Sequence, residues 1–505
     1  MMVKMFDSMH VRVAVNFASK ITFALISIIT IPVIKSKLGV NAYGVLTFFL
    51  SIQVVILLLE GGMSATMARG LLNKKYKIYN ISKAEYQSVY FIFFILVSLF
   101  VFSIFIVFNH NISTLIYNLD DREVYSFISA DYVILLAGAM IALQFYIIYY
   151  EALFVAYEKQ VSYGIHIIVF NVIKTIISLF LLIVFNLGLD VYFLVHVFCT
   201  FILIILLHIK AIKNGLLEIT TLRVKKIYTK ISFMKEEFHF SKNILCVSIL
   251  SAIAFQADRL FITKYMGISA VGMYGIAYTL STVPTLFTSS LYNVIYPRLI
   301  ILTREQSSSA ISFFELVSKL IYIIIIPTCV IISLNSTQIL NIWIGKHEGI
   351  ISLLLSILII ATLFQGLQVI PFALQMAQER LKFTVFMNAI FVPSLILAYY
   401  LVSIHKILLY ISIVWSVYNI ITFFSLTIYL YAKNKMYTRL LILYFNICLC
   451  AVVTVVICSI FKNQESQIFL SLVNISLQFF MSMSLCIILL FWKTIYGALR
   501  CVCCR

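Results

Sequence analysis

The sequence predicts an all-α polytopic membrane protein of about fourteen transmembrane helices, two parallel-repeat six-helix lobes around a central cavity plus a C-terminal helix pair. Three observations predict it. The 505-residue chain is 63% hydrophobic and 11% charged, with a mean hydropathy of +1.07, whereas soluble domains are roughly half apolar and a quarter charged. Apolar runs of about 20 residues, the length that crosses ~30 Å of hydrocarbon as a helix, recur about fourteen times. A local pattern also occurs twice. Lys35, Gly39, Ala42, Gly44 and Arg69 are answered by Lys264, Gly267, Ala270, Gly272 and Arg298, an offset of about 228 residues for the Gly and Ala pairs and about one more for Lys and Arg.

The runs lie near 12–34, 45–67, 88–108, 128–154, 163–186, 190–210, 243–264, 272–296, 315–334, 350–374, 383–403, 407–431, 439–461 and 468–492. Residues Met1 to Arg12 are short and polar, and no small-residue cleavage site follows the first run, so it is expected to stay as a span. Six spans precede the second copy of the pattern, so the chain returns to its starting side and the copies point the same way. Such parallel repeats are related by an axis along the membrane normal. The expected organisation is an N-terminal lobe over 1–212, a basic linker over 213–242, a C-terminal lobe over 243–432, and two extra helices with a tail over 433–505. All six prolines (Pro32, Pro284, Pro297, Pro327, Pro371 and Pro393) fall in or beside spans, where they serve as kinks, helix ends or hinges.

Orientation follows from the basic residues. With the N-terminus in the cytoplasm, cytoplasmic segments hold about 27 of the 37 Lys and Arg residues and external ones about 7. The 211–242 link contributes Lys213, Arg223, Lys225, Lys226, Lys230, Lys235 and Lys242, while the 109–127 link is acidic, with Asp120, Asp121 and Glu123. An even number of spans then puts both termini of this multi-pass membrane protein in the cytoplasm.

The net charge of +18 does not indicate nucleic acid, because the positive residues are dispersed among short loops between spans. No nucleotide-binding G-x-x-x-x-G-K-[ST] and no H-E-x-x-H spacing occurs, and no polar stretch could house an ATPase domain. No metal or other cofactor is expected. Cys199, Cys246, Cys329, Cys448, Cys450, Cys458 and Cys486 lie within apolar runs as small hydrophobes, and the tail Cys501, Cys503 and Cys504 lack the companions of a zinc site. Movement of a solute down a gradient, or coupled to one, remains.

Ionisable groups inside a span are expensive and usually face a cavity or a partner. Lys20 shares a face of span one with Asn16 and Ser27. Lys174 sits at mid-depth in span five with Asn171 and Ser178, and Arg259 lies in span seven beside Asp258. These three cations predict a positively charged cavity for an anionic headgroup, since guanidinium and ammonium groups match phosphate oxygens. The competing roles are a snorkelling lysine for Lys20 and Lys174 and a structural ion pair for Arg259. Asp258, Glu151 and Asp131 are candidates for a coupling ion; Glu60 and Glu151 lie near cytoplasmic ends and Asp131 near an external one. Gln365, Gln368 and Gln375 share a face of span ten around Pro371 and suit either sugar hydroxyls or helix–helix hydrogen bonds.

The stretch Lys35, Leu38, Gly39, Val40, Asn41, Ala42, Tyr43, Gly44, followed by Glu60, Gly61 and Gly62, resembles the Wzx-type polysaccharide (O-antigen) flippases, in the superfamily that also holds multidrug extruders and lipid II flippases. In the second copy the resemblance is carried by Gln256, Ala257, Asp258, Arg259, Gly267 to Gly275, and Tyr296 with Pro297. It covers about residues 10–431. It implies two six-helix bundles forming a V-shaped cavity, a cargo of undecaprenyl-pyrophosphate-linked oligosaccharide moved from the inner to the outer leaflet, and use of a proton or sodium gradient. Basic cavity residues are expected in spans one and seven, which Lys20 and Arg259 match by span. The implied partners are the lipid-linked oligosaccharide, membrane lipids, and a polysaccharide polymerase and glycosyltransferases of the same pathway. A drug/cation extruder of the same fold would favour acidic cavity residues. A sugar polymerase or glycosyltransferase would need catalytic groups on a substantial external loop, and the chain has none longer than about twenty residues.

Overall fold

The structure, a computed structural model, describes residues 9–79, 81–116, 130–217, 252–305, 307–345, 348–378, 382–434, 436–461 and 468–503. The main helices are α1 (Met9–Ile56), α2 (Lys83–Val107), α3 (Ala130–Ala156), α4 (Gln160–Val184), α5 (Leu189–Lys213), α6 (252–266), α7 (Ile268–Ser281), α8 (Val283–Glu305), α9 (Ser307–Leu334), α10 (Gly349–Ala377), α11 (Lys382–Ser403), α12 (Leu408–Lys433), α13 (Tyr437–Ile460) and α14 (Ile468–Cys503). No strand occurs among the described residues. Most of the basic link 213–242 and the acidic residues Asp120, Asp121 and Glu123 lie outside them.

Among the described residues, 11 helices are long and apolar enough to cross a membrane. The difference from the expected fourteen has local causes. Spans one and two run together in α1, which is broken at Gly39 (φ 83°, ψ 176°) but not separated into two helices. Span seven is described only from 252. Span eight is divided into α7 and α8 at Thr282, because Pro284 has no N–H for the helical ladder and opens a new first turn instead. Pro32, Pro327, Pro371 and Pro393 lie inside α1, α9, α10 and α11, which continue through them. Exposed apolar side chains such as Leu99, Ile176, Phe198, Phe386 and Leu441 suit solvation by hydrocarbon.

The chain forms two compact units, residues 1–272 and 273–505. In the first, α1 packs on α4, α2 on α3, and α5 on both α3 and α4. Tyr86, Tyr90, Tyr149, Tyr150, Phe49 and Phe94 are fully buried there. The start of α2 is fixed by a capping box: the Ser82 hydroxyl accepts from the Glu85 N–H at 3.2 Å, and the Glu85 carboxylate accepts from the Ser82 N–H at 2.9 Å. Lys37 donates to Asn186 Oδ1 at 2.9 Å, joining the end of span one to the end of span five. Lys83 donates to the Gly215 carbonyl at 3.3 Å, joining the start of span three to the end of span six. Both bonds are what strictly alternating spans require.

The first unit also contains the two copies of the repeated glycine pattern. Gly39 and Gly267 share a left-handed backbone, with φ 83° and 85°, a conformation that costs other residues about 1–2 kcal/mol. Five residues after each, Gly44 and Gly272 make a reciprocal approach. A Cβ on Gly44 would lie 2.1 Å from the Ile268 carbonyl oxygen, and one on Gly272 would lie 2.3 Å from that of Val40. Val40 and Ile268 are themselves 228 positions apart, so the contact is symmetric in sequence. The repeat is thus a backbone-to-backbone packing element of the kind that small residues permit between membrane helices.

In the second unit α10 is central and packs against α8, α9 and α12; α11 leans on α12, and α13 and α14 pack on α9. Polar contacts pin the helix ends. Ser356 donates to the Ser333 carbonyl at 3.0 Å, Asn335 donates to Gln478 Oε1 at 2.9 Å, and Arg439 pairs with Glu315 at 2.9 Å.

Candidate functional site

In the first unit, α4 and α5 bring together a cation and polar groups far apart in sequence. Lys174 is half-buried and forms no hydrogen bond or ion pair among the described residues. Its electrostatic neighbours are His196 and Cys199 on α5. Ser178, one turn along α4, is buried, and its hydroxyl lies 3.5 Å from His196 Nδ1. That ring nitrogen is also 2.9 Å from the Tyr192 carbonyl, and the imidazole stacks on Tyr192 at 4.2 Å. The imidazole is thereby held in place beside an ammonium that has no counter-charge among the described residues. Asn171, one turn below Lys174, is half-buried, and its backbone carbonyl accepts from the Thr175 hydroxyl at 2.7 Å. An ammonium at mid-depth with no acidic partner is costly in hydrocarbon. A wet environment that can take up an anion removes that cost.

The other predicted cations differ. Asn16 and Lys20 lie on α1, and their side chains fall outside the described residues. Arg259 is buried, 7% exposed, and its Nη1 donates to Gln256 Oε1 on the same helix. Asp258 is 2% exposed, and its carboxylate accepts from the Arg259 backbone N–H at 2.7 Å. Both charged groups take part in further interactions. Arg259 is thus built into its surroundings, whereas Lys174 has no counter-group among the described residues.

The candidate coupling residues separate by position. Asp131 is exposed at the start of α3, where its backbone carbonyl accepts from Asn109 at 3.3 Å. Glu151 is exposed near the other end of α3 and accepts from the Tyr163 hydroxyl at 3.4 Å. Glu60, half-buried, accepts from the Ser64 N–H at 3.1 Å and is an electrostatic neighbour of Glu151. Among the described residues no group of His, Cys, Asp and Glu is placed to hold a metal ion.

In the second unit the three amides of α10 have three fates. Gln375 is fully buried and accepts from the Thr384 hydroxyl at 2.6 Å, a helix–helix bond. Gln368 is half-buried and accepts from the Thr422 hydroxyl of α12 at 3.3 Å. Gln365 is half-buried and has no partner among the described residues. Near them, Tyr292 and Tyr296 of α8 stack at 5.3 Å with rings 8° from parallel, and Tyr292 reaches Phe372 of α10 at 6.5 Å. Sequence reasoning missed His196 and this aromatic group; the i, i+4 spacing of Tyr292 and Tyr296 within a span was the available signal.

Comparison with known proteins agrees with this architecture. The family model described as "Polysaccharide biosynthesis protein" matches residues 12–303, more than half of the chain. A protein of Shigella flexneri named "Putative O-antigen transporter" is 28% identical over 188 residues, 36% of this chain. The chain spans 44% of that relative's length. Among solved structures, the lipid II flippase MurJ in an inward closed conformation aligns with a TM-score of 0.69 at 15% identity, covering 96% of this chain and 99% of that one. An inward-facing MATE-family multidrug resistance transporter aligns with a TM-score of 0.59 at 11% identity, covering 82% of this chain and 96% of that one. At these identities the structural likeness establishes the fold, an all-α multi-pass membrane architecture shared with both. The match over both copies of the glycine pattern establishes the family: the chain is a member of the polysaccharide biosynthesis protein family.

Proposed function

We propose that this protein is a flippase that moves an undecaprenyl-pyrophosphate-linked oligosaccharide from the inner to the outer leaflet of the cytoplasmic membrane by alternating access, with both termini in the cytoplasm. The observation that carries the proposal is Lys174, a half-buried ammonium at mid-depth in α4 that no carboxylate neutralises among the described residues. A pyrophosphate headgroup cannot cross ~30 Å of hydrocarbon unaided, because an unpaired buried charge costs many kcal/mol. It can pass a wet groove in which Lys174 supplies the counter-charge while the lipid tail stays in the bilayer. Asn171 flanks that ammonium, and Lys20 with Asn16 on span one and Arg259 on span seven extend the cationic path. Gln365 and Gln368 meet the sugars. Asp258, Glu151 and Asp131 are the coupling candidates, and the facing Glu60 favours Glu151 among them. The family match, the fold shared with a lipid II flippase and the relative's printed name all support this reading. The isolated cation at Lys174 disfavours a drug/cation extruder, and the lack of a substantial external loop disfavours a polymerase or glycosyltransferase.

The test is complementation in cells lacking this protein. Lys174→Ala is expected to cut surface polysaccharide roughly tenfold or more, as loss of a charge-assisted contact implies, at normal membrane levels of the protein. Lys174→Arg is expected to retain most delivery. Full delivery by both Lys174→Ala and Arg259→Ala rejects the cationic path.

A further inference from the structure

We infer that one face of the second unit, formed by Tyr292 and Tyr296 of α8, Gln365, Gln368 and Phe372 of α10 and Thr422 of α12, is a binding platform for the pyranose rings of the cargo. The inference rests on the flippase reading and adds to it the place where the glycan, as distinct from the phosphate, is held.

Gln365, Gln368 and Phe372 are spaced i, i+3 and i+7 on α10, which puts them on one helical face. All three are half-buried, as are Tyr292, Tyr296 and Thr422, so none is sealed in a core. This distinguishes the group from Tyr86 and Tyr90, whose tilted rings, 5.1 Å apart, are fully buried. The aromatic rings form a stepped stack: the two tyrosine rings lie 8° from parallel at 5.3 Å, and Phe372 stacks beyond Tyr292 at 6.5 Å and 25°.

The amides show that this face is wet. A primary amide carries two donors and a two-site acceptor, and leaving them unmet in hydrocarbon costs several kcal/mol. Gln375 avoids the cost by bonding to Thr384, and Gln368 meets it in part through Thr422. Gln365 has no partner among the described residues. Its face therefore meets water or a polar ligand. A sugar fits the combination. One side of a pyranose ring is a patch of C–H groups that packs on an aromatic ring, while its rim of hydroxyls both donates and accepts. A pyrophosphate does not fit, because the six residues carry no positive charge.

The test uses the purified full-length protein in lipid nanodiscs and two probes. One is the lipid-linked oligosaccharide pool extracted from cells depleted of this protein; the other is undecaprenyl pyrophosphate without sugar. The wild type is expected to bind the sugar-bearing probe roughly tenfold more tightly, the sum of a few stacking and hydrogen-bonding contacts. Tyr292→Leu and Gln365→Leu are expected to bring that ratio close to one and to leave the sugar-free probe unchanged, which also reports a folded protein. Gln365→Leu removes no hydrogen bond among the described residues, so it carries the test if Tyr292→Leu fails to fold. A wild type that binds both probes equally, or variants that keep the preference, overturns the platform alone. A wild type that binds neither probe overturns the flippase reading beneath it.

Discussion

The amides of α10 show how identical side chains acquire different roles from their neighbours. Gln365, Gln368 and Gln375 present the same pattern in sequence, and that pattern left sugar binding and helix–helix bonding equally open. The structure separates them through Thr384 and Thr422, which lie on other helices and so cannot be found from the spacing of α10 itself. The same applies to the cations. Lys174 and Arg259 both read as intramembrane charges, but Arg259 has Gln256 one turn behind it, while Lys174 has, among the described residues, only His196 and Cys199 in electrostatic range. A prediction follows for stability. Gln375→Leu removes a buried interhelical bond, worth about 0.6 kcal/mol on average in membrane proteins, and strands the Thr384 hydroxyl. It is expected to lower the apparent melting temperature in detergent, whereas Gln365→Leu leaves it unchanged. Equal shifts for the two variants would show that Gln365 is structural after all.

At the scale of elements, the sequence pattern located spans four to six and ten to thirteen to within about three residues of α3 to α5 and α10 to α13, because hydrophobic length is written in consecutive residues, but it did not show that spans one and two run on as one helix or that span eight divides. The duplicated glycines were legible as a repeat, but their purpose was not, since nothing in either copy says that the two copies touch. The structure shows Gly44 against Ile268 and Gly272 against Val40, with the turn glycines Gly39 and Gly267 setting the approach. Substitution should therefore rank by cause. Gly44→Ala and Gly272→Ala each put a methyl within 2.1 and 2.3 Å of a backbone oxygen, which cannot move aside as a side chain can. Overpacking of this kind costs about 1–3 kcal/mol. Gly39→Ala meets no atom within 4 Å and bears only the strain of φ 83°. The two contact glycines should also couple: once one methyl has opened the approach, the second costs less, so the double variant is milder than the sum. Thermal denaturation of the three single variants and the Gly44/Gly272 double variant checks both statements. Strict additivity would mean that the two glycines do not share a contact.

For the whole molecule, the sequence marked residues 433–505 as an addition to the duplicated lobes, and the structure shows how far this addition is joined to the second unit. Helices α13 and α14 pack on α9, and Leu443, Cys450 and Cys486 are buried in one apolar cluster with Tyr322, Ile326 and Cys329 of α9. Polar bonds add register. The Thr427 and Tyr444 hydroxyls lie 2.8 Å apart, and Gln478, 1% exposed, accepts from Asn335 at 2.9 Å. The Arg439–Glu315 pair at 2.9 Å is part-exposed and contributes at most about 1 kcal/mol. In a bilayer apolar burial alone gives little drive for helix association, since lipid tails solvate the same surface, so close packing and interhelical hydrogen bonds do most of the holding. Removing the pair would leave the Asn335 amide without Gln478 and would strip Leu443, Cys450 and Cys486 from the cluster around Tyr322, which is fully buried in the intact protein. A chain ending at Lys433 is therefore expected to accumulate in membranes to a fraction of the full-length level and to be cleared faster after synthesis stops. A matched variant, Asn335→Leu with Gln478→Leu in the intact chain, removes the amide bond while keeping the helices and is expected to accumulate normally. If the truncated chain accumulates and delivers polysaccharide as well as the full one, the twelve preceding spans are self-sufficient, and the packing of α13 and α14 on α9 contributes nothing that the rest of the fold requires.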